Sequence, residues 1–315
     1  MTGLLLFVAL LAAEPGPEQW MNLGREFLEQ RVYDQALRAY DSAQAASDGP
    51  CAPCDLGAVR ALLWLDRPDE AAKRARRALR HAGKDTTEGR LLLGRALTGR
   101  AGSEVKPRAI AKAVALFRGL LEEGETEAGL YLGEALTRRG DDDDAADALR
   151  KYLVTDTDAV GRARARQLLA LPHCGRRSCL PAFEAEAIDG TVWNNERLRD
   201  HVVLLDFWAS WCAPCIDALP ELKMLAAERA DRPFILLSLS ADNDPQELAR
   251  IVEGEGLTWP QIRDDDGSTI VGRFGVRLYP TYVIVDREGV VRGQFNADGI
   301  VSGDVQTRID ELLAE

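Results

Sequence analysis

The chain has 315 residues, of which 46% are hydrophobic and 29% are charged, and its formal net charge is -12 at pH 7. This composition excludes a disordered chain and a multi-span membrane protein, and the length suits two domains of ordinary size. The net negative charge argues against a nucleic-acid partner, because a protein that binds the phosphates of nucleic acid needs a positively charged surface.

An apolar segment runs from Leu4 to Ala13 and ends at a Pro/Gly stop. It is too short to cross a ~30 Å hydrocarbon core, but it has the length of the hydrophobic region of a signal peptide. We therefore predict that residues 1–13 are a signal peptide and that the protein is exported, periplasmic or membrane-anchored facing outside the cytoplasm. No Lys or Arg precedes the segment, so an uncleaved anchor and a misassigned start codon are the alternatives.

Helical periodicity continues through residues 14–171, with apolar residues three and four apart. Small and aromatic residues recur in a pattern that resembles the tetratricopeptide repeat, at Trp20, Leu23, Gly24, Phe27, Ala36, Tyr40 and Ala43, and again at Leu132, Gly133, Gly140, Ala145, Leu149 and Tyr152. This predicts an all-α helical repeat, a short solenoid whose concave face binds a peptide or protein partner. A pure scaffold or oligomerisation role is the alternative.

The tetrapeptide CAPC first occurs at Cys51–Cys54, between two repeat helices. Three roles are open: a disulfide that caps a repeat helix, an auxiliary dithiol that relays electrons, and a zinc half-site. The sequence favours the structural disulfide, because no apolar strand precedes the motif and Ala45, not an acid, stands six residues upstream.

Residues 172–180 interrupt the helical pattern with prolines, a glycine and a C-x4-C pair, and are predicted to be the linker. Cys174 and Cys179 are expected to close a structural disulfide loop, although Arg176 and Arg177 leave a redox role open. All six cysteines fall into close pairs, as expected in a compartment that permits disulfides.

From residue 181 to 315, short β-rich segments alternate with helical ones, which predicts an α/β domain. The predicted strands are FEAEAI, VVLLDFW, FILLSLS, TYVIVD and VVRGQF, and the predicted helices are 215–230, 245–255 and 303–314. Helix-separated strands imply parallel pairing, and the last two strands imply an antiparallel hairpin at one edge.

The second CAPC, Cys212–Cys215, follows the apolar strand VVLLDFW and opens a helix. A cysteine at a helix N-terminus is favoured as a thiolate, so Cys212 is the expected nucleophile. Cys215, one turn later, is expected to resolve the mixed disulfide formed at Cys212. Trp211 is expected to cover the approach, and Pro214 to fix the first turn.

The stretch DFWASWCAPC and the later YPT at residues 279–281 resemble the thioredoxin superfamily, and residues 181–315 resemble its TlpA/ResA-type branch. The resemblance implies a thioredoxin-like fold and a thiol–disulfide oxidoreductase that acts on protein substrates. It favours the reductant direction, with a membrane thiol carrier as electron donor, and implies no cofactor and no metal. It further implies that Pro280 is cis and faces the cysteines. Tyr279 is larger than the residues commonly found before that proline, and is expected to narrow the substrate groove or to pack; Thr281 is a further candidate for substrate contact.

Asp206 is a charge within an apolar strand, where burial is costly and raises the pKa of a carboxyl group. In thioredoxin an Asp at the matching position serves as proton acceptor and donor for the resolving cysteine, and the resemblance carries this role to Asp206. TlpA/ResA relatives more often have Asn there and a Glu where this chain has Ala218. Asp217 lies about 100° around the helix and is a poor substitute.

Two rival functions are a binding protein whose thioredoxin domain is only a docking surface, and a thiol peroxidase. The intact cysteine pair argues against the first. The second requires Thr or Ser three residues before the attacking cysteine, where this chain has Ala209.

Overall fold

The computed structural model describes residues 15–81, 86–104, 106–155, 159–264, 274, 276 and 278–315. The predicted signal peptide lies outside these residues. The chain divides into two compact units, residues 1–155 and residues 156–315. Within the described ranges, no helix combines the length and the apolar character needed to cross a membrane.

Helices fill the described part of the first unit. They are α1 Pro17–Glu29, α2 Tyr33–Ala45, α3 Ala52–Trp64, α4 Pro68–His81, α5 Thr87–Thr98, α6 Pro107–Glu122, α7 Ala128–Arg139 and α8 Asp142–Leu153. Each helix packs against the next one in the chain, and α1, α3, α5 and α7 also contact one another in that order. This is the packing expected of stacked helical hairpins.

Close helix approach explains the repeated small residues of the first unit. A Cβ atom at Gly24 of α1 would lie 2.9 Å from the Tyr40 ring of α2, and one at Gly94 of α5 would lie 2.5 Å from the Phe117 ring of α6. Both rings are buried. The glycines therefore provide the space into which an aromatic side chain of the following helix packs.

The boundary between the units differs from the sequence-based boundary at 171/172. Helix α9, Ala159–Ala170, and a 3-10 turn at Pro172–Gly175 belong to the second unit. The Gln167 side-chain amide donates to the Leu180 carbonyl at 2.6 Å, and the Leu180 amide donates to the Gly289 carbonyl at 2.9 Å. Residues 172–180 are therefore packed within the second unit and do not form a free linker.

The second unit is α/β. Its strands are β1 Glu184–Glu186, β2 Val192–Asn194, β3 Val202–Trp208, β4 Phe234–Ser240, β5 Gln261–Arg263, β6 Thr281–Val285 and β7 Val291–Asn296. The helices after α9 are α10 Ala213–Asp217, α11 Leu219–Glu228, α12 Pro245–Glu255, α13 Ala297–Val301 and α14 Asp304–Ala314. Strands β1 and β2 pair separately from the main sheet.

The main sheet has the order β5-β4-β3-β6-β7, with β3 at its centre. Strand β3 is parallel to β4 and antiparallel to β6, and β6 forms an antiparallel hairpin with β7, as predicted. All seven residues of β3 are buried. The predicted single helix 215–230 is two helices, because Pro220 in the first turn of α11 has no N–H to continue the hydrogen bonding of α10.

Candidate active site

A disulfide joins Cys212 and Cys215 where β3 leads into α10. Cys212 is the N-cap of α10 and Cys215 lies in its first turn, with Pro214 at the second helical position. The side chains are 6% and 2% exposed. Upon reduction, the sulfur of Cys212 lies at a helix N-terminus, where backbone N–H groups favour a thiolate.

Asp206 lies on the same face of the sheet as the cysteine pair. Alternate residues of a strand share a face, and its neighbours Leu204 and Trp208 pack in the apolar cluster that contains Cys212 and Cys215. Asp206 is 2% exposed. This burial raises the pKa of Asp206 from 3.8 to about 7, against the opposing effect of the Ser238 hydrogen bond.

Two side chains from other elements support Asp206. The Ser238 hydroxyl on β4 donates to Asp206 Oδ2 at 2.7 Å, and the Trp259 indole N–H donates to the same Ser238 oxygen at 2.8 Å. Ser238 stands directly opposite Asp206 in the β3–β4 register. The chain of hydrogen bonds fixes the carboxyl group and stabilises its ionised form.

Tyr282 stands opposite Asp206 on the other side, in the β3–β6 register. Its hydroxyl and Glu221 Oε2 on α11 are buried, and neither has a hydrogen-bond partner among the described residues. Burial, and next the charges of Asp206 and Glu221, raise the pKa of Tyr282. The tyrosine hydroxyl is therefore held in its neutral form.

The loop before β6 carries Tyr279 and Pro280 and contacts Trp211. The Tyr279–Pro280 peptide bond is cis, as the thioredoxin resemblance implies. The Tyr279 and Trp211 rings meet edge to face with their centroids 5.8 Å apart, and Trp211 is 65% exposed. The Thr281 hydroxyl donates to the Leu278 carbonyl at 2.8 Å, which ties the loop to the start of β6.

A buried carboxylate fastens the loop that leads to Cys212. Asp242, just after β4, accepts from the Ser210 amide at 2.9 Å, the Ser210 hydroxyl at 2.6 Å and the Ser240 hydroxyl at 2.6 Å. Sequence reasoning did not identify Asp242, Ser238, Trp259, Tyr282 or Glu221. The sequence feature that could have pointed to some of them is the alternation of Ser238 and Ser240 with apolar residues in the predicted strand FILLSLS.

The other predicted site residues lie elsewhere. Cys51–Cys54 is a disulfide in the first unit, and Cys174–Cys179 is a disulfide beside the β6–β7 hairpin. The nitrogen and sulfur atoms of His173, Cys174 and Cys179 lie within 4.8 Å of one another, but a disulfide has no thiolate to offer a metal. Asp217 is exposed and Ala218 is buried, so α10 presents no carboxylate beside Cys215.

Known proteins resemble the second unit of the chain. Residues 177–309 match the Redoxin family. The chain is 30% identical over 114 residues to the thioredoxin-like protein YneN of Bacillus subtilis, which covers 36% of this chain and 66% of YneN. It is 29% identical over 111 residues to the thiol-disulfide oxidoreductase ResA of Bacillus thuringiensis, which covers 35% of this chain and 64% of ResA. The chain thus spans less than two thirds of the length of this ResA.

Among solved structures, a thiol-disulfide oxidoreductase from Bacteroides fragilis is 26% identical, with a TM-score of 0.38. The match covers 42% of this chain and 99% of that protein.

Proposed function

We propose that the protein is a thiol–disulfide oxidoreductase acting on protein substrates, because residues 177–309 match the Redoxin family and the chain is similar to YneN and ResA. One observation carries the proposal: the Cys212–Cys215 disulfide stands between a buried central strand and a helix N-terminus, with buried Asp206 on the same sheet face. This arrangement joins an activated thiolate to a group that moves protons near neutral pH.

In the proposed reaction the reduced Cys212 thiolate attacks a substrate disulfide. One substrate sulfur leaves as a thiolate, and a mixed disulfide forms at Cys212. Ionised Asp206 takes the proton of Cys215, whose thiolate attacks Cys212 and releases the second substrate sulfur. The substrate gains two electrons and the cysteine pair becomes the disulfide. Because the pKa of Asp206 is raised to about 7, both its protonation states are available at neutral pH.

Trp211, Tyr279, Pro280 and Thr281 are proposed to bind the substrate. The exposed Trp211 ring against Tyr279 offers an apolar surface next to Cys212 in the chain. An extended substrate segment would pair with the backbone beside the cis Pro280, as in the proteins this domain resembles.

We propose the reductant direction and an exported location for the protein. The apolar segment Leu4–Ala13 supports export, as does the disulfide Cys174–Cys179, because disulfides persist in oxidising compartments. A reductant in such a compartment needs a donor of electrons, which we take to be a membrane thiol carrier. Cell fractionation, with alkylation of the thiols present in the cell, tests both points.

The test of the catalytic proposal is dithiothreitol-driven reduction of insulin by the full chain. We expect Cys212→Ser to abolish the activity and Cys174→Ser/Cys179→Ser to retain it, since the latter pair lies outside the proposed site. Retained activity in C212S would contradict the proposal.

We propose that the first unit is a tetratricopeptide-like module that holds a partner segment of acidic and apolar character. A cavity of about 470 Å³ lined by residues of α4, α5 and α6 supports this, since Arg76 and Lys112 border leucines there. Arg90 also lines the cavity, but its guanidinium pairs with Glu123. A peptide of Asp and Leu residues should bind in this cavity, and Lys112→Glu should weaken that binding. Equal binding of a Lys/Leu peptide would favour a pure scaffold role.

A further inference from the structure

A second disulfide, in the first unit, has the local arrangement of the Cys212–Cys215 pair. Cys51 is the N-cap of α3, Cys54 lies in its first turn, and Pro53 takes the second helical position. Cys51 is partly exposed, whereas Cys54 is 0% exposed. Cys51 is therefore the residue of this pair that solvent reaches, and its sulfur is the one that an incoming thiolate is expected to attack.

The surroundings of Cys51 favour a thiolate at this position after reduction. The Cys54 amide donates to Cys51 Sγ at 3.2 Å, and α3 is thirteen residues long, so its N-terminal dipole acts on the same sulfur. Gln44 holds the preceding loop, because its Oε1 accepts from the Cys51 amide at 3.2 Å and its Nε2 donates to the Gly49 carbonyl at 3.1 Å. The sulfur is thus fixed at the helix end.

The acid next to Cys54 is neutralised by two arginines. An unpaired Asp55 carboxylate, buried one residue after Cys54, would oppose thiolate formation. Arg77 Nε donates to Asp55 Oδ2 at 2.7 Å, its Nη2 donates to Oδ1, and Arg74 Nη1 lies 3.3 Å from Oδ1. Arg74 also pairs with Asp41. These ion pairs offset the negative charge of Asp55 next to the N-terminus of α3.

A structural role explains this disulfide poorly. The two cysteines are three residues apart, and the stabilisation that a disulfide gives through loop closure is smallest for the shortest loops. Helix α3 already packs against both α2 and α4. The bond therefore adds little to the stability of a helix that its neighbours hold in place.

We propose that Cys51 and Cys54 form a second redox-active pair, which accepts electrons from a protein dithiol. A donor thiolate attacks Cys51, the Cys51–Cys54 bond breaks, and Cys54 leaves as a thiolate that takes up a proton. The second donor thiol then attacks the mixed disulfide and releases the Cys51 thiolate. Two electrons and one proton pass to the pair, which ends as the Cys51 thiolate and the Cys54 thiol, and the donor becomes a disulfide.

The test uses the oxidised full chain carrying Cys212→Ser/Cys215→Ser, so that it does not depend on the proposed catalytic pair. The protein is equilibrated in graded glutathione buffers, alkylated and mapped by peptide mass, with Cys174–Cys179 as the internal reference. We expect Cys51–Cys54 to be half reduced at a ratio at which Cys174–Cys179 stays predominantly oxidised. Joint reduction of the two pairs at the same ratio would overturn the proposal, as would no reduction of Cys51–Cys54.

Trapping tests the order of attack. In the same background, Cys54→Ser should form a mixed disulfide with oxidised thioredoxin through Cys51, about tenfold faster than Cys51→Ser forms one through buried Cys54. Equal rates in the two variants, with unchanged circular dichroism, would overturn the assigned asymmetry. Insulin reduction by Cys51→Ser/Cys54→Ser, which keeps Cys212 and Cys215, reports separately on the proposed catalytic function.

Discussion

Asp206→Asn is expected to stabilise the protein at alkaline pH and to slow disulfide exchange. Burial raises the pKa of Asp206 to about 7 from 3.8. Between these values the folded protein keeps a proton that the unfolded chain releases, so the free energy of unfolding falls as the pH rises and levels off above about 7. The pKa difference corresponds to about 4 kcal/mol. Asparagine has nearly the shape of aspartate but does not ionise, so the variant avoids the free-energy cost of a buried carboxylate.

The free energies of unfolding of the two proteins should therefore agree near pH 4 and diverge by up to ~4 kcal/mol in favour of Asp206→Asn at pH 8. Urea denaturation between these limits measures the difference. Both the Asp206 protein and the Asp206→Asn variant also carry Trp20→Phe and Trp64→Phe. The tryptophan fluorescence then comes from the second unit alone, from Trp193, Trp208, Trp211 and Trp259.

The same variant should reduce insulin more slowly, on the order of 100-fold, because Cys215 loses its proton acceptor. A residue with only a structural role would not raise stability while lowering the rate. Stability curves that run parallel from pH 4 to pH 8, or an unchanged rate, would refute the reasoning about Asp206.

Three further predictions concern other residues. Ser238→Ala removes a hydrogen bond that favours ionised Asp206, so the pKa of Asp206 should rise. The rate of insulin reduction, which should increase with pH as Asp206 ionises, should then increase at higher pH than in the unmodified protein. An unshifted pH–rate profile would contradict this. Gly94→Ala should destabilise the first unit by about 1–3 kcal/mol through overpacking, as urea denaturation would measure. The control is Gly119→Ala, because its added methyl group meets no described atom within 4 Å; it should be neutral or stabilising by about 0.5–1 kcal/mol. Tyr279→Ala should raise KM for insulin, measured by steady-state kinetics, and should leave the rate at which dithiothreitol reduces the cysteine pair, measured by stopped flow, unchanged. A change in the dithiothreitol rate with an unchanged KM for insulin would place Tyr279 outside the substrate surface.

The sequence was sufficient to predict the central part of the second unit. An apolar run that ends in WCAPC indicates a buried strand followed by a helix, and β3 and α10 occupy these positions. Strand β5 was missed, because its three residues are too few for a period to be visible, and it is recognisable only through its pairing with β4.

Residues that support Asp206 were harder to predict for a related reason. The alternation of polar and apolar residues in FILLSLS shows that Ser238 and Ser240 share a face, but not which strand lies beside them. Only the register of β3 with β4 and β6 brings Ser238 and Tyr282 opposite Asp206. Similarly, helical periodicity continues through α9, and its place in the second unit depends on contacts beyond the helix, such as the hydrogen bond from Gln167 to the Leu180 carbonyl.

The most direct test of the catalytic proposal is the capture of a mixed disulfide. Cys215→Ser keeps Cys212 and removes the resolving thiol, so incubation of the reduced variant with oxidised insulin should accumulate a covalent adduct. Peptide mass mapping is predicted to find the adduct at Cys212, released by dithiothreitol and absent from Cys212→Ser/Cys215→Ser. An adduct only at another cysteine, or none, would contradict the assignment of Cys212 as the nucleophile.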